Sequence, residues 1–206
     1  MKVWGVLVAA GSGRRFGAPK HSLTLDGVEL WQLGRTALLA GGVDEVVTVG
    51  DMPGAIPGGP RRRDSVAAGL DLVPPDVDYI LVHDAARPLA SPALVQRVID
   101  RLLLKDADGV VPVVPVPDTL KLTLGDNVVR TVDRVHLVRA QTPQGFRGDV
   151  LRRAHEQDTP DATDDASMVE ELGGSVATVP GERENLKITY PEDLDLARSL
   201  SIMRDA

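Results

Sequence analysis

Cysteine is absent, so the chain has no disulfide, no thiolate zinc site and no cysteine nucleophile. Aromatic residues make up only 3% of the sequence, too few for the stacking platforms that hold single-stranded nucleic acid. Positive charge does not dominate either. The net charge of -7 argues against a broad nucleic-acid or anionic-membrane surface, although one pocket can oppose the charge of the whole. The apolar run of the N-terminal "MKVWGVLVAAGSG" is too short for a membrane span, and its glycine loop does not read as a signal cleavage site. The expectation is a cytoplasmic protein with no nucleic-acid or membrane partner. Lysine is also scarce. Lys2, Lys20, Lys105, Lys121 and Lys187 are the only ones, which makes the placement of Lys20 and Lys187 informative.

What is present is a regular alternation. The 206 residues suffice for one α/β domain with a proper core. "VWGVLVAA", "DEVVTVG", "DYILVHDAA" and "GVVPVVPV" read as four strands rich in Val, Ile and Leu. Between them lie helical patterns at 28–40, 64–73 and 91–104. The first ends at Gly41-Gly42 and the last opens with Ser91 as N-cap and Pro92 at the first helical position. Near-continuous apolar strands separated by helices predict a three-layer, Rossmann-like α/β fold. Its mostly parallel sheet is covered on both faces, with ligands beyond the carboxyl ends of the strands. The pattern then changes. "TLKLTL", "GDN" and "VVRTVD" read as a β-hairpin inserted in the domain, with too small an apolar face of its own and a second subunit as one candidate cover. Helices near 148–157 and 164–172, a strand "SVATVP" and a last helix opened by Pro191 complete the chain.

The loop "AAGSGRRFGAPK" follows the first strand. Gly11 and Gly13 let backbone N–H groups approach an anion. Arg15 can make bidentate bonds to phosphate oxygens, and Lys20 adds a compact charge. The Walker lysine spacing is absent. Gly17 falls four residues after Gly13, so the G-x-G-x-x-G dinucleotide spacing is missed as well, which disfavours a dehydrogenase.

These residues resemble a known family. "AAGSGRRFGAPK" looks like the signature loop of nucleotidyltransferases acting on sugar or polyol phosphates. With "GGPRRRDSVAAGL", "VHDAARP", "PVPDTLK", "TVDR", "QTPQGF", "TDDAS" and "NLKITYPEDL", eight motifs in register from Val3 to about Arg198 resemble the 2-C-methyl-D-erythritol 4-phosphate cytidylyltransferases. The resemblance implies transfer of CMP from CTP to methylerythritol phosphate with release of pyrophosphate, and use of Mg²⁺ held mainly by the triphosphate. By resemblance, Ala9, Ala10, Gly11 and Gly13 line the CTP loop, with Arg15 and Lys20 on the triphosphate. Gly59, Arg62, Ser65 and Ala85 also lie by the nucleotide. Asp84 and Arg87 face the acceptor, and Thr119, Arg134, Thr142, Thr163 and Lys187 surround its phosphate and hydroxyls. Arg15, Lys20, Arg134 and Lys187 carry the catalytic roles. No protein ligand of the metal is assigned. The hairpin, at about 118–140, corresponds to an arm that joins a homodimer.

Plainer roles exist for several of these residues. Asp84 fits a turn cap, Asp164 and Asp165 fit helix N-terminal positions with Thr163 as a candidate N-cap, and His83 fits a packed core histidine. Thr119 and Thr142 fit ordinary strand or turn positions. Lys187 is read in a strand, where a lysine needs a purpose. The sequence departs from the family at "VGDMPGAIPGGP", which has no room for the crossover helix and further strand that normally precede the glycine pair. The sheet is therefore expected to be trimmed there. The competing functions are a ribitol or other polyol-phosphate cytidylyltransferase and a non-catalytic nucleotide-binding regulator.

Overall fold

The computed structural model describes residues 1–11, 16, 23–157 and 162–204, with the backbone alone at 203 and 204. In chain order the elements are β1 (Val3–Val8), β2 (Thr24–Leu25), β3 (Val28–Glu29), α1 (Leu30–Ala40), β4 (Glu45–Val49), α2 (Arg62–Leu70), β5 (Tyr79–Asp84), α3 (Pro92–Leu102) and β6 (Gly109–Pro115). There follow β7 (Leu120–Leu124), β8 (Asn127–Val132), β9 (Val138–Ala140), β10 (Gln144–Arg147), α4 (Gly148–Glu156), α5 (Asp165–Glu171), β11 (Val176–Pro180) and α6 (Pro191–Arg204).

The central sheet runs β11-β6-β10-β5-β1-β4. β4, β1 and β5 are parallel to one another, as are β6 and β11, and β10 lies antiparallel between β5 and β6. The parallel strands are buried on both faces because alternate side chains feed separate cores. Val6, Ile80 and Val82 join Val66, Leu70, Leu151 and Val169 of α2, α4 and α5 on one face. Val3, Leu7 and Leu81 join Leu38, Val95 and Val98 of α1 and α3 on the other. A satellite core gathers Leu25, Leu30, Leu89, Ile188, Leu194 and Ala197 under α6.

α3 shows how local signals set these elements. The Ser91 hydroxyl accepts from the Leu94 N–H at 3.0 Å and Pro92 occupies the first turn. Leu94, Val95, Val98, Ile99 and Leu102 then recur on one buried stripe. Each such side chain contributes roughly 1.5–3 kcal/mol on burial.

The antiparallel β10 is a strand that the sequence pattern does not announce. "QGFR" is short and carries glycine where an apolar run would be expected. Gly145 is there because α3 packs directly on it: a Cβ would stand 2.7 Å from Val98 Cγ1 and 2.8 Å from Leu102 Cδ1. The trimmed edge is as expected. After β4 the chain makes a single parallel bridge, Val49 to Ile56, and turns back with no helix before α2. Among the described residues β7 and β8 pair only with each other, and Leu122, Leu124, Val128 and Val129 are exposed. β9, by contrast, pairs with β6, so the free hairpin spans 120–132 and is shorter than the sequence reading of about 118–140. Among the described residues no helix is long and apolar enough to cross a membrane.

The approach of α1 to α3 gives a stability prediction. A methyl group at Gly41 would lie 2.4 Å from Val95 Cβ and 2.8 Å from the Pro92 carbonyl oxygen, and the second of these is backbone that cannot step aside. Gly41→Ala is expected to cost about 1–3 kcal/mol through overpacking and to lower the thermal midpoint by several degrees. An unchanged midpoint in calorimetry would contradict this packing.

Candidate active site

Three parallel strands end level with one another. Val8 pairs with both Val49 and Asp84, the Ala9 N–H donates to the Val49 carbonyl at 2.7 Å, and the Ala85 N–H donates to the Val8 carbonyl at 2.9 Å. Ala9, Ala10 and Gly11 therefore leave β1 beside Asp84 and Ala85 at the end of β5. Gly59 joins them from the segment after β4: its N–H donates to Ser65 Oγ at 3.1 Å, and Gly58 lies against Ala10. β10 runs the other way, so it is its beginning that arrives here. Gln144 stands opposite Val82, and Thr142 just before it reaches the Asp84 main chain.

At the centre is a row of basic side chains alternating with two carboxylates. Lys187 Nζ donates to Asp84 Oδ2 at 2.7 Å, and Arg62 Nε donates to Asp84 Oδ1 at 3.0 Å. A guanidinium nitrogen of Arg62 donates to Asp165 Oδ2 at 2.8 Å, and the other oxygen of Asp165 meets His155 Nε2 at 3.0 Å. Asp84 is nearly and Asp165 wholly buried. Burial alone would favour their neutral forms. At Asp84 that cost is outweighed by Arg62 and Lys187, and the carboxyl sits well below the usual carboxylate range. At Asp165 burial is likewise overcome by Arg62 and His155, and the group is lowered. Arg62 is disfavoured by burial, but its two carboxylates hold its pKa above the ordinary value.

A second layer fixes this row from below. Fully buried His83 is pushed down to about 4 by desolvation and is neutral near pH 7. The Thr142 hydroxyl lies 2.9 Å from His83 Nδ1 and accepts from the Asp84 N–H at 3.1 Å, while His83 Nε2 lies 3.2 Å from the Arg87 carbonyl. These contacts select the tautomer with the proton on Nε2. Arg87 donates to the carbonyls of Asn185 and Ala140. Asn185 Nδ2 in turn donates to the Thr142 carbonyl at 2.9 Å. Lys187 is in an irregular stretch and not in the strand read from "NLKIT". It is aligned by the Ile188 N–H on the Ala86 carbonyl and by Ile188 in the satellite core.

The fold thus brings together Ala9, Ala10, Gly11, Gly59, Arg62, Ser65, Asp84, Ala85, Arg87, Thr142 and Lys187. Gly13, Arg15 and Lys20 lie outside the described residues. Thr119 is exposed at the root of the hairpin, and Arg134 turns back on the carbonyls of Val116 and Pro117. Thr163 is exposed just before α5, and the N-cap of that helix is Asp164, whose side chain accepts from the Ser167 N–H. Asp165 does not cap; it serves Arg62 and His155. Sequence reasoning named Arg62 but missed its partner Asp165 and, behind that, His155. The available signal was the doubled aspartate, since a helix needs only one cap. Among the described residues no group of three acidic or histidine side chains could hold a metal ion. Asp84 and Asp165 have each carboxylate oxygen engaged by a nitrogen donor of this chain.

A family model described as 2-C-methyl-D-erythritol 4-phosphate cytidylyltransferase matches residues 3–204. The chain belongs to this family. The family joins CTP and methylerythritol phosphate to give diphosphocytidyl-methylerythritol in isoprenoid synthesis. It is 40% identical to the 2-C-methyl-D-erythritol 4-phosphate cytidylyltransferase of Rubrobacter xylanophilus, over 97% of this chain and 95% of the relative. It is 43% identical to the bifunctional enzyme IspD/IspF of Granulibacter bethesdensis, matching 98% of this chain and 57% of that protein, so it spans little more than half the length of this relative. The crystal structure of the cytidylyltransferase from Thermus thermophilus superposes with a TM-score of 0.80 at 37% identity, over 96% of this chain and 98% of that one.

The depressed pKa of Asp84 has a pH consequence. A carboxylate held below its unfolded value contributes stability that is fully present above the unfolded pKa near 4 and is lost as pH falls through the folded pKa. Denaturant unfolding of the wild type and of Asp84→Asn should therefore show a constant gap between pH 5 and 7 that narrows below about pH 4. A gap that is flat down to pH 2 would contradict the charge pairing of Asp84.

Proposed function

We propose that this chain transfers CMP from CTP to 2-C-methyl-D-erythritol 4-phosphate through the site at the ends of β1, β4 and β5. The observation that carries the reading is the Lys187–Asp84–Arg62 row beside the β1 loop, in a chain of this family. The acceptor's phosphate monoester has a second pKa of about 6 and is already largely dianionic at neutral pH. One of its oxygens attacks the α-phosphorus of CTP. The new P–O bond forms as the bond to the β-phosphate breaks, and pyrophosphate leaves with its electron pair. No general base is required. The barrier is repulsion between two polyanions and the alignment of an in-line displacement, so positioning and cationic stabilisation supply the catalysis.

In this reading Arg15 and Lys20 neutralise charge on the triphosphate, and Lys187 and Arg134 hold the acceptor phosphate in line. Asp84 orients Lys187 and meets the acceptor hydroxyls. Mg²⁺, if bound, would supply neutralising charge to the triphosphate, and we assign it no protein ligand. We assign the reaction to the cytosol on the composition described above, and the assembly to a homodimer in which the hairpin of each chain crosses to the other. Exposed Leu122, Leu124, Val128 and Val129 on a two-stranded ribbon support that crossing.

Pyrophosphate release from CTP with methylerythritol phosphate, set against ribitol phosphate, tests the reaction; preference for ribitol phosphate would move the chain to the polyol branch. The assembly is tested by complementation. Arg134→Ala and Lys187→Ala homodimers should each be nearly inactive. In a mixed dimer one site carries both changes and the other carries neither. Random equal co-assembly makes half of the dimers mixed, so about a quarter of wild-type activity should return. Verified mixed dimers as inactive as their parents would show that Arg134 does not act across the interface.

A further inference from the structure

The row of paired side chains does not stop at the residues that face the substrates. Behind Arg62 it continues through Asp165 to His155, on a different helix and away from the strand ends. Asp165 is wholly buried, and the His155 side chain is 4% exposed. Three elements meet here: α2 supplies Arg62, α5 supplies Asp165 and α4 supplies His155.

This arrangement is costly if stability is all it serves. Buried ion pairs often do no better than apolar residues of the same volume. Here two polar atoms are buried without a hydrogen-bond partner among the described residues, His155 Nδ1 and one terminal nitrogen of Arg62, and each such atom costs free energy. What the geometry does supply is orientation. A free carboxylate can swivel and engage Arg62 through either oxygen. With His155 Nε2 on Oδ1 at 3.0 Å, only Oδ2 faces the guanidinium at 2.8 Å. Arg62 is then fixed in the rotation that turns Nε onto Asp84 Oδ1 at 3.0 Å, leaving Oδ2 for Lys187. Gln144 secures the same turn of chain, donating to Asp164 Oδ2 at 2.8 Å and accepting from the Ala166 N–H at 3.3 Å. The end of α4 is held in turn by Arg63, whose guanidinium donates to the Gln157 carbonyl at 2.6 Å.

We propose that His155 is a positioning residue of the acceptor half of the site: it fixes Asp165, which fixes Arg62, which sets the Asp84 carboxylate and with it Lys187. The proposal rests on the acceptor-side reading of Asp84 and Lys187 given above. It makes His155 matter for one substrate and not the other, although it touches neither.

The test compares His155→Leu, which fills the volume and removes the bond, with His155→Gln, whose amide nitrogen can take the place of Nε2. Steady-state kinetics are run with each substrate varied in turn. His155→Leu should raise KM for methylerythritol phosphate roughly tenfold, the scale of one hydrogen bond to a charged group. KM for CTP should stay within about twofold, and His155→Gln should recover most of the loss. A purely structural histidine would lower both affinities together or neither, and glutamine would rescue no selective defect; either result overturns the proposal. If the leucine variant does not fold, His155→Asn, whose amide is too short to reach Asp165, takes its place with the same expectations. The Arg62 Nε–H resonance in ¹⁵N-edited spectra, recorded without substrates, separates this proposal from the functional reading. It should be sharp in the wild type and in His155→Gln, and broadened in His155→Leu or its substitute His155→Asn. A resonance unchanged in all variants overturns the positioning role, whatever reaction the chain catalyses.

Discussion

Arg62 lies between two buried carboxylates, and the site depends on that bridge. Asp84 ends the central strand β5, Asp165 begins α5, and the guanidinium joins them across the mouth of the sheet. Without it two negative charges would stand in a region of low dielectric with one lysine and one histidine between them. With it, each carboxylate is held below its normal range and has a single orientation. Lysine in place of arginine could not make this bridge, because one ammonium lacks the planar spread of donors needed to serve both acids. The same interaction ties the chemistry to the fold, since α2, α5 and β5 must keep their relative places for the row to close.

Much of the fold is legible in the sequence because its signals are local. Val-rich strands, Ser91-Pro92 at the head of α3 and Gly41-Gly42 after α1 each carry a physical meaning that does not depend on distant residues. Gly42 takes the positive φ that its place after the helix calls for. β10 is illegible for the opposite reason. Its strand character comes from β5 and β6 on either side, and its glycine from the approach of α3, all of them distant in sequence. The site divides in the same way. Asp84, Arg87 and Lys187 stand in motifs that resemble those of the family. Asp165 and His155 do not declare themselves, because a capping aspartate and a helical histidine are ordinary in "TDDAS" and "RRAHEQ". Only the packing of α4 against α5 makes them partners.

The short segment after β4 has a structural solution. Ile56 makes one bridge to Val49, with the Ile56 N–H on the Thr48 carbonyl and the Gly50 N–H on the Ile56 carbonyl, and the chain proceeds at once to the glycine pair. Gly58 then lies against Ala10 and Gly59 against Asp64, so both approaches require the absence of a side chain. The sheet loses an edge, yet the glycine pair keeps its place beside the end of β1.

The proposal for His155 puts the Arg62 bridge on the acceptor side of the site, whereas the family resemblance of "GGPRRRDS" points to the nucleotide. Arg62→Lys keeps the charge and gives up the bridge, so it isolates that assignment. Steady-state kinetics with CTP and methylerythritol phosphate varied separately should show KM for the polyol phosphate raised roughly tenfold, with KM for CTP within about twofold. A rise confined to the KM for CTP would contradict the assignment and return Arg62 to the nucleotide.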